Sequence, residues 1–252
     1  MTDDQNSTPP GETFVSHLVE LRNRLMKAMV AVIVVFLGLM PFAGRIYDML
    51  AQPMMSALPA GSKMIATGVI TPFLIPVKVT LLVAFLIALP VVLYQAWAFV
   101  APGLYEHEKK LIAPLVVSSS LLFLTGVAFC YFFVFGTVFK FVNEFAPRSV
   151  SVAPDIESYF GFVMTMFIAF GITFEVPIIV VVLVRMGLVT VEKLKEFRPY
   201  MIVAAFVIAA VVTPPDVVSQ LLLAVPLCLL YEVGLIVAPM FARATRAPEE
   251  TA

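Results

Sequence analysis

The sequence predicts an all-α membrane protein of six transmembrane helices, with both termini on the cytoplasmic side. Three observations predict it. Of 252 residues, 61% are hydrophobic and only 13% charged, where a soluble domain carries about 25% charge. The apolar residues gather into six runs at or slightly below the length that crosses a bilayer. Finally, Lys and Arg divide unevenly between the loops. With the N-terminus inside, Arg22, Arg24, Lys27, Lys109, Lys110, Arg185, Lys193, Lys195, Arg198, Arg243 and Arg246 fall on the cytoplasmic side. Only Arg45, Lys63, Lys78, Lys140 and Arg148 fall outside, and this excess of internal positive charge sets the orientation. A net charge of -1 implies no bulk attraction to nucleic acid.

Residues 1–12 are polar and Pro-bearing and read as a disordered tail. Residues 13–238 read as one six-helix domain, and 239–252 as a cytoplasmic tail. From Phe14 onward, Phe14, Leu18, Leu21 and Leu25 recur at helical spacing, so an amphipathic helix leads into the first span, Leu25–Phe42. That run starts too late and is too long for a signal-peptide core, so it reads as a retained helix. The long outer loop 44–72 holds an amphipathic piece around Ile46–Leu58 that suits a membrane surface.

The second and third spans are Phe73–Val100 and Leu111–Val134, separated by the charged stretch Leu104-Tyr-Glu-His-Glu-Lys-Lys110. The fourth is Tyr159–Val184. The fifth, Tyr200–Val212, is short. Its roughly thirteen residues reach about 20 Å against about 30 Å of hydrocarbon, so it thins the bilayer or leans on protein neighbours. The turn Thr213-Pro-Pro-Asp216 then supplies an N-cap for the sixth span, Val217–Val237. Pro41, Pro76, Pro90, Pro114 and Pro226 kink the spans into a curved bundle. Cys130 and Cys228 fall at different depths, so they pair neither with each other nor around a metal. The 13 methionines read as packing.

Three carboxylate positions carry the functional question. Glu20 pairs with Arg24 at i,i+4 in the plain reading. Glu106 and Glu108 balance Lys109 and Lys110 in theirs. The alternative reading makes Glu20 and Glu108 two separate cation acceptors on the cytoplasmic face. Neighbouring side chains of an extended peptide point opposite ways. A ligand with two adjacent arginines therefore wants two acceptors, and the planar guanidinium distinguishes Arg from Lys. Glu175 is the third. It lies inside an apolar helix, where ionisable groups are costly and usually functional. Pro177 frees the carbonyl of Thr173 beside it.

The segments His17-Leu-Val-Glu-Leu-Arg-Asn-Arg-Leu25 and Trp97-Ala-Phe-Val-Ala-Pro-Gly-Leu-Tyr-Glu-His-Glu108 resemble the TatC family, the multispanning receptor subunit of the twin-arginine protein translocase. Phe174-Glu-Val-Pro177, Thr213-Pro-Pro-Asp-Val-Val-Ser-Gln220, Leu230-Tyr-Glu232, Pro53 and Met64-Ile-Ala-Thr67 fit the same pattern. The resemblance implies a non-catalytic receptor for twin-arginine signal peptides of folded proteins, needing no cofactor and no metal. It implies that Glu20 and Glu108 contact the arginine pair, with Arg22, Phe99, Pro102, Leu104 and Tyr105 at neighbouring motif positions. Glu106 is the less fixed position. It implies a concave bundle with short fifth and sixth helices, and an intramembrane polar site of Glu175 and Gln220, with Pro177 and Asp216, that engages the single-span partners TatA and TatB. It further implies a multimeric receptor complex in the bacterial inner membrane, driven by the proton-motive force.

Two other classes stay in view. A proton-coupled secondary transporter would use Glu175 as its carrier. An intramembrane enzyme is disfavoured, because no paired aspartates, HExxH, GxSxG or P-loop occurs.

Overall fold

A computed structural model describes residues 10–58, 63–100, 112–145 and 153–242. Among the described residues every extended element is helical; a single isolated bridge, Ile65 to Asp155, is the only β pairing. The described residues form nine α-helices in order: α1 Pro10–Leu39, α2 Ala43–Ala57, α3 Thr71–Val100, α4 Ile112–Phe129, α5 Phe135–Phe145, α6 Ile156–Arg185, α7 Val191–Glu196, α8 Arg198–Val212 and α9 Val217–Ala242. Among the described residues five stretches are long and apolar enough to cross a membrane: α1 with α2, α3, α4 with α5, α6, and α9. α8 is apolar but has only 15 residues, about 22 Å.

α6 is the central post. Phe160, Val163, Met166 and Phe170 are fully buried along it, and it packs against α3, α4 and α9. Its start is fixed by Asp155, whose side chain accepts from Ser158 N, and its end by Gly187. Gly187 adopts φ 69°, which only glycine reaches cheaply. Leu188 N then donates to Leu183 O and Gly187 N to Val184 O, both at 3.1 Å, closing the last turn in a Schellman motif.

α2 lies where the amphipathic piece is expected, but it does not rest its apolar face on bare membrane. Ile46, Leu50 and Ala51 are buried against α3 and α5. Pro53 explains how it is anchored. A proline cannot donate to the carbonyl four residues back, so Met49 O is left open, and Tyr131 OH donates to it at 2.7 Å. Tyr159 OH reaches the next carbonyl, Leu50 O, at 2.8 Å.

α4 and α5 form one continuous rod joined by a π-turn, Cys130–Val134, in which Phe135 N donates to Cys130 O. The extra residue of a π-turn shifts everything beyond it around the axis. Phe135 is thereby turned fully inward, while Phe132 is left 78% exposed. Cys130 is buried, and both cysteines are free thiols.

The helix expected as a short sixth span, α9, is not short. α9 runs for 26 residues with Pro226 and Pro239 inside it. Two prolines well separated within an apolar helix bend it without ending it, because neighbours cover the freed carbonyls. Asp216 does cap α9, accepting from Ser219 N at 2.7 Å.

Asp155 also ties the segment before α3 to the start of α6. Its Oδ1 accepts from Thr67 N at 3.2 Å and Thr67 Oγ1 at 2.9 Å. Its backbone lies in the bridge where Ile65 N meets Pro154 O and Ile156 N meets Ile65 O. The Ser158 N–H first, and then the Thr67 hydroxyl, hold the Asp155 carboxyl below its usual value. A carboxylate lowered in the folded state stabilises above its ordinary pKa and loses that contribution as pH falls through the lowered value. The Thr67 amide is therefore expected to lose protection, measured against its intrinsic exchange rate at the same pH, as pH drops below the normal aspartate range. Asp155→Ala should show that loss of protection already at neutral pH. Hydrogen exchange of residues 64–68, read as protection factors, checks both, and a pH-independent protection factor would show that the bridge alone holds the segment.

Candidate functional site

Two polar places stand out in this apolar molecule. The first is at the end of the bundle where α1 begins and α3 finishes. α1 packs along α3, and the His17 ring lies 4.7 Å from the Phe99 ring. One turn further along α1, Arg24 Nε and Nη2 both donate to Glu20 Oε1, at 2.8 and 2.6 Å. This is the i,i+4 pair the spacing predicts. Both partners are about a third exposed, so it contributes little to stability. The pair uses Oε1 alone. Arg22 is exposed, with a weak 3.4 Å contact to Asn23. Pro102, Leu104, Tyr105, Glu106 and Glu108 lie outside the described residues. In the sequence they fall between Val100 of α3 and Ile112 of α4.

The second place is Glu175. It sits on the buried side of α6, 7% exposed, with neither carboxyl oxygen hydrogen-bonded. Its polar neighbour is Ser119 of α4, whose Oγ accepts from Trp97 Nε1 at 3.0 Å. The sequence hints at Ser119 through the run Ser118-Ser119-Ser120 inside an apolar segment. Nothing in the spacing tells which of the three turns toward α6.

The structure does not join Glu175 to Gln220. Gln220 lies in the first turn of α9 and donates from Nε2 to Phe206 O of α8 at 3.2 Å. The part of α9 that meets the turn after Glu175 is at Gly234, whose open side faces Pro177 and Val180. Fourteen residues of helix separate Gly234 from Gln220, about 21 Å. α6 and α9 are both long apolar rods with no sharp amphipathic face, so sequence leaves their relative depth unset. Asp216, one turn before Gln220, is committed to capping. Pro177 is buried in the α6–α9 contact beside Gly234.

A third polar contact fixes the short helix. Arg198 Nη2, at the start of α8, meets Glu232 Oε2 of α9 at 2.7 Å, and Tyr231 OH donates to Leu194 O of α7 at 2.8 Å. Among the described residues no three His, Cys, Asp or Glu side chains converge as a metal site.

Comparison with known proteins agrees on one family. The family model described as Sec-independent protein translocase protein (TatC) matches residues 16–226. A TatC protein of Halothiobacillus neapolitanus is 54% identical over 93% of this chain, which spans 64% of that longer protein. The Haemophilus influenzae protein is 50% identical, covering 91% of this chain and 90% of its own length. The Escherichia coli K12 protein is 48% identical, covering 95% and 93%. A crystal structure of a twin arginine translocase receptor TatC superposes with a TM-score of 0.78 at 39% identity, over 90% of this chain and all of that one. With its membrane-spanning helices and these matches, the chain belongs to the TatC family of Sec-independent protein translocase proteins, a component of protein transport.

Proposed function

We propose that this chain is the receptor that reads twin-arginine signal peptides on folded precursor proteins, and the platform that recruits TatA and TatB for export driven by the proton-motive force. The observation that carries the reading is the packing of α1 against the end of α3. His17 against Phe99 keeps the partly exposed Glu20 near the end of α3, and Glu108 follows that end a few residues later in the sequence. Two acidic acceptors on separate elements suit two adjacent arginines of an extended peptide. Glu20 already holds one guanidinium, that of Arg24, by two hydrogen bonds, so an incoming arginine competes with a partner of its own kind. The chain then works as a multimeric, six-span subunit of the bacterial inner membrane. α8 is the short fifth span, both termini are cytoplasmic, and Glu175 is the intramembrane acid of a concave bundle that engages the single-span partners.

A second reading, a proton-carrying transporter, is favoured by one observation: the carboxyl of Glu175 is buried and makes no hydrogen bond. Peptide binding separates the two. Purified protein, with and without its TatB partner, is titrated with a signal peptide carrying Arg-Arg or Lys-Lys. The Arg-Arg peptide is expected to bind about tenfold tighter, since a charge-assisted hydrogen bond contributes about 1.5 to 3 kcal/mol. Glu20→Ala and Glu108→Ala should each erode that preference. Equal binding of both peptides by wild type and mutants would return both glutamates to ordinary surface charge and favour the transporter.

A further inference from the structure

The serine run in α4 holds an asymmetry. Ser118 Oγ donates back to Leu115 O at 3.0 Å, and Ser120 Oγ to Val116 O at 2.7 Å. These are the usual bonds of a hydroxyl inside an apolar helix. Ser119, fully buried between them, makes no such bond. It accepts instead from the Trp97 indole. An indole N–H only donates, and a hydroxyl has one proton and two acceptor positions. The Trp97 bond therefore occupies an acceptor position and leaves the Ser119 proton uncommitted.

The helix register decides where that proton points. α4 and α6 run antiparallel, with Gly126 set on Phe170 and Phe174, and Phe123 set on Gly171. One helical turn further in the same register, Ser119 falls opposite Glu175. Ser119 Oγ stands within interaction range of the carboxyl, while neither Glu175 oxygen yet completes a hydrogen bond. A buried carboxyl with no partner is costly, and a small rotation about the Ser119 side chain supplies one.

We infer that Trp97 and Ser119 are positioning residues for Glu175: the indole orients the hydroxyl, and the hydroxyl donates to one carboxyl oxygen. The inference rests on the proposed receptor only for why the carboxyl matters. The hydrogen-bond chain runs from α3 through α4 to α6, and its first member lies three residues before the end of α3. The α3 end is thereby linked to the intramembrane acid through side chains, with no backbone contact between them required.

The test is infrared spectroscopy of the whole protein in lipid nanodiscs. The Glu175 carboxyl or carboxylate band is assigned by its loss in Glu175→Gln. Ser119→Ala is expected to move this band to the position of a carboxyl without a donor, and Ser119→Thr to return it. Trp97→Phe removes one N–H while keeping an aromatic ring, and is expected to broaden and partly shift the band. Circular dichroism confirms that each variant is folded. A band unmoved in both Ser119→Ala and Trp97→Phe would overturn the inference. No ligand is present in this measurement, so its failure is distinct from a failure of the peptide-binding experiment.

Discussion

Gly126→Val is expected to lower the stability of the folded helix bundle by about 3 kcal/mol, the upper end of what overpacking costs, read as an earlier thermal transition in detergent. In lipid there is no hydrophobic gain from bringing helices together, so close van der Waals approach at small residues carries the contact. Gly126 makes such an approach. A Cβ placed there would stand 2.5 Å from the Phe170 carbonyl oxygen and 2.9 Å from the Phe174 ring. The ring can turn, but the carbonyl belongs to the backbone of α6 and moves only with the helix. Gly171 provides the contrast. The three atoms nearest a Cβ there all belong to the Phe123 side chain. Alanine in place of glycine gains about 1 kcal/mol of helix propensity. At Gly171 that gain offsets part of the cost of displacing Phe123. At Gly126 the helices themselves must separate. The expected order is therefore wild type above Gly171→Ala, above Gly126→Ala, above Gly126→Val. Equal transitions for the two alanine variants would show that α4 and α6 have slack the packing does not suggest.

The same interface shows what a sequence can and cannot disclose here. The existence of each apolar helix is written in composition, because a bilayer-length apolar run has few alternatives. Short-range geometry is equally readable. Glu20 and Arg24 are four apart, and they pair; Asp216 precedes an apolar run, and it caps it. What fails is rotation and depth. A helix apolar all round carries no stripe to say which face turns inward, so α6 and α9 gave no indication that Glu175 and Gln220 lie turns apart. For the same reason Ser119, rather than Ser118 or Ser120, could not be singled out as the neighbour of Glu175. The expectation of a short α9 rests on the resemblance alone; the apolar run Val217–Val237 by itself reaches bilayer length, and α9 continues it to 26 residues. The π-turn was invisible, since its signature is a hydrogen-bond shift within an unbroken run of aromatics and valines.

Phe135→Ala tests that turn, with an expected loss of about 3 to 5 kcal/mol, the range for deleting a fully buried phenylalanine. Phe135 is the first residue after the π-turn and is completely buried. Its ring centroid lies 5.4 Å from Phe167, 5.6 Å from Phe139 and 5.8 Å from Phe162. Aromatic pairs at such distances add to simple burial. Phe132 supplies the control, since it is 78% exposed on the same turn. Phe132→Ala should leave the transition within about 0.5 kcal/mol, as surface substitutions do. If the two variants lose stability equally, the π-turn does not select which aromatic faces the core. If only Phe135→Ala does, one extra residue in the helix is what seats α5 against α6 and, through Tyr131 and Met49, holds α2 to the same end of the bundle.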